Sequence, residues 1–132
     1  MINGFEDITY NLTDEEIKFA LPLVIHELKK AVGEENSIKN SDIISRCFTC
    51  PIKLTPARVR KIINHIRITG KIRLLIGTSK GYYISNSIEK AEAYAESLKQ
   101  RAREIFRVSG AIKKQIANIA NADIATEQGN LI

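Results

Sequence analysis

The chain has 132 residues, of which 44% are hydrophobic, and a net charge of +5, which fits one domain or a domain plus an extension. It contains no apolar run long enough to span a bilayer, and residues 1–10 carry Glu6 and Asp7 instead of a signal-peptide pattern. A cytoplasmic protein with no membrane partner is expected, and two cysteines are too few for a disulfide framework.

The modest net charge conceals a segregated distribution. Residues 1–42 hold nine acids and four bases, residues 43–88 hold nine bases and no acid, and residues 89–132 hold seven bases and six acids. For a polyanionic partner, segregation of charge matters more than its mean.

Taken in chain order, residues 1–11 form an arm with a short strand expected around residues 8–10. Thr13-Asp14-Glu15-Glu16 reads as a capping box, with Thr13 accepting from the Glu16 amide and Glu16 reaching back. The first helix is expected to run to about Val32, with Ile17, Leu21, Val24, Ile25 and Leu28 on its buried face and Gly33 ending it. Pro22 removes a helical hydrogen bond, so a kink or break is expected at residues 20–22. Ser37-Ile38 is expected as a short strand that pairs later in the chain. Asn40 or Ser41 should cap a second helix near residues 41–47, with Ile43 and Ile44 inward.

Residues 54–84, LTPARVRKIINHIRITGKIRLLIGTSKGYYI, organise the rest. Thr55 is a good N-cap and Pro56 suits the first helical position. Val59, Ile62, Ile63 and Ile66 recur at helical spacing and define an apolar face. Gly70 provides the stop. Strands are expected at residues 71–76 and 81–85, joined by Gly-Thr-Ser-Lys-Gly turn chemistry. A long helix follows, capped by Ser87. Ile88, Ala91, Ala95, Leu98, Ala102, Ile105, Ser109, Ile112, Ile116 and Ile119 alternate at spacings of three and four, a heptad seam that argues for a coiled coil. Residues 121–132 have no clear period and are expected to fray.

The run from Ser37 to Tyr83 resembles a winged helix-turn-helix DNA-binding domain. With the following AYAESLKQRAREI helix, it is similar to small winged-helix proteins of bacteriophages and mobile elements, over about residues 13–107. The resemblance implies a mainly α fold with a small β-hairpin (α+β), with a winged domain in residues 1–86, a long helix in residues 87–120 and a tail in residues 121–132. It also implies duplex DNA binding in transcriptional regulation or phage-type replication. Arg bonds guanine and Asn bonds adenine in bidentate fashion, so Arg60, Lys61 and Asn64 on the outer side of the third helix are the base-reading candidates. Thr55 suits a phosphate, and Arg58, Arg67, Lys71, Arg73 and the hairpin-tip Lys80 complete the basic surface. A homodimer is expected through Leu98, Ile105, Ile112, Ile116 and Ile119. The rival is an assembly module in which DNA contact is incidental. RNA binding is weakened by the absence of an aromatic stacking pair on a sheet face.

Cys47-Phe48-Thr49-Cys50 is a C-x-x-C motif, but zinc would need two further ligands and no partner motif exists. A redox role would need a thioredoxin-like β-α-β context. Two semi-buried cysteines in a turn is the better reading. No nucleophile–base pair or phosphate loop is present, so neither an enzyme, a cofactor nor a small-molecule substrate is expected.

Overall fold

The computed structural model describes residues 11–130; the strand expected at residues 8–10 lies outside them. The architecture is mainly helical with a two-stranded antiparallel hairpin and a long C-terminal helix. The chain divides into two compact units, the first ending at Ala91 and the second beginning at Glu92.

The capping box forms as expected. The Thr13 amide donates to Glu16 Oε1 at 2.8 Å and the Glu16 amide donates to Thr13 Oγ1 at 3.1 Å. The turn that follows, Glu16–Ala20, is a π-helix, and α1 runs Leu21–Leu28. This is how the fold accommodates Pro22: the wider turn absorbs a break in the i→i−4 ladder that a proline imposes. The extra residue in that turn also rotates the buried face. Ile17, expected inside, is 46% exposed, whereas Glu16 and Ala20 are fully buried. Leu21, Val24 and Leu28 are buried and Ile25 is half-buried. The helix stops at Leu28, short of Val32, and Val32 is exposed.

A 3₁₀ turn, Glu34–Asn36, leads to α2, Asn40–Arg46. Its N-cap is Lys39 in place of Asn40 or Ser41, and the Lys39 amide donates to Asp42 Oδ2 at 3.4 Å. Ile43 is buried and Ile44 half-buried against the core. α3, Pro56–Thr69, follows the sequence reading closely. Thr55 accepts from the Arg58 amide at 3.1 Å, and Gly70 caps the far end at φ 72°. Val59, Ile62, Ile63 and Ile66 are all buried at 1% exposure or less. These four side chains, with Leu28, Val24 and Ile43, form the centre of the core, where burial contributes about 1.5–3 kcal/mol per large aliphatic side chain.

The hairpin pairs β1, Leu75–Thr78, with β2, Gly81–Ile84, in the register Leu75↔Ile84, Ile76↔Tyr83, Gly77↔Tyr82 and Thr78↔Gly81. The first strand therefore starts four residues later than expected. The chain must first reverse after α3, and it does so through Gly70 and Leu74, both in the left-handed region. The β2 strand has a neighbour on its other edge as well. Ile38 and Tyr82 exchange backbone hydrogen bonds of 2.9 and 2.8 Å, which realises the expected pairing of Ser37-Ile38 with the hairpin. The Ile84 amide also donates to the Ala31 carbonyl at 2.7 Å.

That second edge explains Gly81. Its φ is +119°, and an added Cβ would lie 2.4 Å from the Ile38 carbonyl oxygen. Gly81→Ala should lower stability by about 2 kcal/mol, through backbone strain and displacement of Ile38. Gly70→Ala, where nothing lies within 4 Å, should cost only about 1 kcal/mol for its left-handed φ. Urea unfolding of both variants checks the order; equal losses would mean that the Ile38 contact yields freely.

Ser87 caps the last helix as expected, accepting from the Lys90 amide at 3.2 Å. α4 spans Ile88–Asn130, so the helix continues past the expected end near residue 120. From Leu98 through Asp123 every residue is exposed. No helix among the described residues is long and apolar enough to cross a membrane.

Candidate nucleic-acid interface

The basic candidates divide by what each side chain already holds. Arg60 lies exposed on the outer side of α3, with Ala57 exposed one turn before it. Asn64, half-buried, and Ile68, 82% exposed, continue the same stripe at spacings of four. Lys71 and Arg73 are exposed just beyond the C-terminal end of α3, and Lys53 is exposed just before its start.

Arg58 and Lys61 are committed elsewhere. Arg58 Nε donates to Glu16 Oε2 at 3.0 Å and its Nη1 donates to the Lys53 carbonyl at 2.7 Å. Lys61 Nζ lies 2.7 Å from Glu16 Oε1. Glu16 is 0% exposed, so this three-residue cluster joins the Glu16–Ala20 turn to α3 across the core edge. Burial pushes the Glu16 carboxyl up, but the hydrogen bond and charge of Lys61, with the Thr13 bonds, outweigh it and hold the group below the usual carboxylate range. Lys61 is thus a core-edge ion-pair partner of Glu16, with 24% of its side chain still exposed.

Arg67 is likewise drawn inward. Its Nε donates to the Leu75 carbonyl at 3.1 Å and its guanidinium lies 5.6 Å from the Tyr82 ring centroid, so it ties α3 to both strands of the hairpin. The Thr55 oxygen serves as the helix cap; its hydroxyl hydrogen can still donate to a phosphate. Lys80 stands exposed at the hairpin tip and shares a shallow concavity with Glu34, Glu35 and Ser37. Arg46 lies 3.9 Å from Glu27 Oε2.

The acid-free stretch of sequence is therefore not acid-free in space. Glu16 and Glu27, both from the first 42 residues, return to meet Arg58, Lys61 and Arg46. Among the described residues of this segment, Lys53, Arg60, Lys71, Arg73 and Lys80 are exposed and enter none of the ion pairs that hold Arg46, Arg58 and Lys61. Ile68, 82% exposed one turn beyond Asn64, belongs to the same face. Phe48, in the turn between α2 and α3, is equally exposed and was not anticipated.

Cys47 is buried and Cys50 half-buried, both free thiols, as the turn reading expected. Burial, with the Glu27 and Cys50 charges, pushes the Cys47 thiol up and so disfavours the thiolate. Comparisons with protein-family models, with curated proteins and with solved structures find no match.

Proposed function

We propose that the chain binds double-stranded DNA as a winged helix-turn-helix, with α3 as the recognition helix and the β1–β2 hairpin as the wing, in transcriptional regulation or phage-type replication. The observation that carries this reading is the outer face of α3. Arg60 and Asn64 stand there one turn apart, flanked by Lys53, Lys71 and Arg73, while Val59, Ile62, Ile63 and Ile66 on the opposite face are buried. Arg60 supplies the fork that matches guanine and Asn64 the amide that matches adenine. Ala57 and Ile68 are the apolar surfaces that suit thymine methyl groups. Lys53, Lys71 and Arg73 take phosphates.

Two expected results test it. Affinity for duplex DNA, measured by fluorescence anisotropy, should fall with salt at a log–log slope of about −4 to −5 per chain, set by the exposed Lys53, Arg60, Lys71, Arg73 and Lys80 and not by all nine cations in the segment. Arg60→Ala and Asn64→Ala should each flatten the preference among duplexes by roughly 1–3 kcal/mol at one base pair, whereas Lys71→Ala should weaken all duplexes alike. No binding at low salt, or binding indifferent to salt, would sink the DNA reading and favour the assembly module.

A further inference from the structure

The exposed apolar seam of α4 is the largest feature that DNA binding does not use. Leu98 is 41% exposed, Ile105 70%, Ile112 50%, Ile116 60% and Ile119 61%. Apolar stripes of this extent on a soluble helix mark a contact surface. The question is what covers it.

The seam has an internal order. With heptad positions lettered a to g, the a positions are Ile88, Ala95, Ala102, Ser109 and Ile116, and the d positions are Ala91, Leu98, Ile105, Ile112 and Ile119. Through the middle of the helix the a residues are small and the d residues large. Facing helices that run parallel stack a on a and d on d. That arrangement would set Ala95, Ala102 and Ser109 against themselves, leaving voids, and would place isoleucine in the d layers, where it disfavours two-stranded parallel pairs.

Facing helices that run antiparallel stack a on d instead. About a centre between Arg103 and Glu104, the antiparallel register sets Ala102 on Ile105, Leu98 on Ser109 and Ala95 on Ile112. It continues with Ile116 on Ala91 and Ile119 on Ile88. Every central layer then joins one small and one large side chain, which keeps the core volume constant along the pair. The flanks agree. Glu92 and Lys113 occupy e positions that face each other across this register, and Phe106 and Val108, 78% and 50% exposed, border the seam. Beyond Ile119 the next seam position is Asp123, so the apolar run ends where the register runs out of partner helix.

We infer that α4 pairs with α4 of a second copy of this chain in an antiparallel, two-fold coiled coil centred between Arg103 and Glu104. A second copy is the occupant because the pattern is complementary to its own reversal. A different partner would require no such symmetry, whereas a two-fold self-interface requires that residue i meets j and j meets i. The inference does not depend on DNA binding, and its test contains no DNA.

The test is sedimentation equilibrium of the full chain and its charge-swapped variants. The unsubstituted chain should be dimeric at micromolar concentration. Glu92→Lys alone and Lys113→Glu alone should each raise the dimer dissociation constant on the order of tenfold, because each creates two symmetry-related repulsive pairs. The double variant Glu92→Lys/Lys113→Glu should return to within about threefold of the original. In a parallel pair these residues stand about 30 Å apart along the axis and cannot compensate. Ala102→Leu gives an independent readout: it should weaken an antiparallel pair by crowding Ile105 and strengthen a parallel pair by filling a void. A chain that stays monomeric at high micromolar concentration, a double variant no better than the singles, or a tighter Ala102→Leu dimer would each overturn the antiparallel self-pairing.

Discussion

Glu16→Gln should lower the unfolding free energy by about 3 kcal/mol at neutral pH, near the low end for a broken buried ion pair. The Glu16 carboxylate is 0% exposed and meets Arg58 at 3.0 Å, Lys61 at 2.7 Å and the Thr13 amide at 2.8 Å. The amide of Gln keeps the shape and part of the hydrogen bonding but loses the charge. Arg58 and Lys61 retain 35% and 24% side-chain exposure, so both can turn toward water, which limits the loss. Acid should reveal the same cluster. The folded carboxyl titrates below its unfolded value, so its contribution is complete above the ordinary carboxylate range and vanishes as pH falls through the lower folded value. Urea unfolding from pH 7 to pH 3 should therefore show the gap between the original chain and Glu16→Gln closing in acid. Parallel curves at all pH values would mean that the cluster adds nothing to stability.

That cluster also marks the boundary of what the sequence discloses. Thr55, Pro56, the four apolar residues of α3 and Gly70 are legible because each acts within its own helix: a cap satisfies the amide three residues on, and a buried face repeats every turn. The Ser87 cap is legible for the same local reason. Glu16 was legible only as a cap. Its second role depends on Arg58, 42 residues away, and nothing in the spacing of charges shows which acid folds back on which base. The same blindness inflated the basic surface. A run of 46 residues without an acid reads as one uninterrupted field, yet two glutamates from outside it pair with Arg46, Arg58 and Lys61.

The first helix teaches a narrower lesson. Pro22 made a disruption certain, but a break, a kink and a π turn leave the same mark in sequence. Only the π turn shifts the helical phase by a residue, and that shift exchanges Ile17 for Glu16 on the buried side. The late start of β1 has a similar origin: residues 71–74 carry strand-like side chains but are consumed in reversing the chain, with Leu74 at φ 55°. The a/d seam of α4 was visible as a period, and its exposure is visible in the fold, but the alternation of small and large residues within it carries the orientation.

The largest effect on function should come from cutting that seam. A chain ending at Phe106 keeps Ala102 and Ile105 but loses Ser109, Ile112, Ile116 and Ile119, so of the antiparallel layers only the two central ones survive. It should be monomeric. Its core in α1, α2, α3 and the hairpin is untouched, so the circular-dichroism melting transition of that part should persist. In the dimer, one bound recognition helix holds the second near the same duplex, and linked sites of this kind gain on the order of 10²–10⁴ in apparent affinity. A two-fold pair also reads the two strands equivalently, so the preferred site should be an inverted repeat. Affinity for such a duplex should therefore fall on the order of a hundredfold or more in the shortened chain, while affinity for a single half-site should change little. Full-chain Ile105→Asp/Ile112→Asp should reproduce both results by placing charge in the seam, with no residue removed. Equal affinity of the dimeric and monomeric forms for the inverted repeat would show that a single α3 does all the binding and that the helix pair serves some other end.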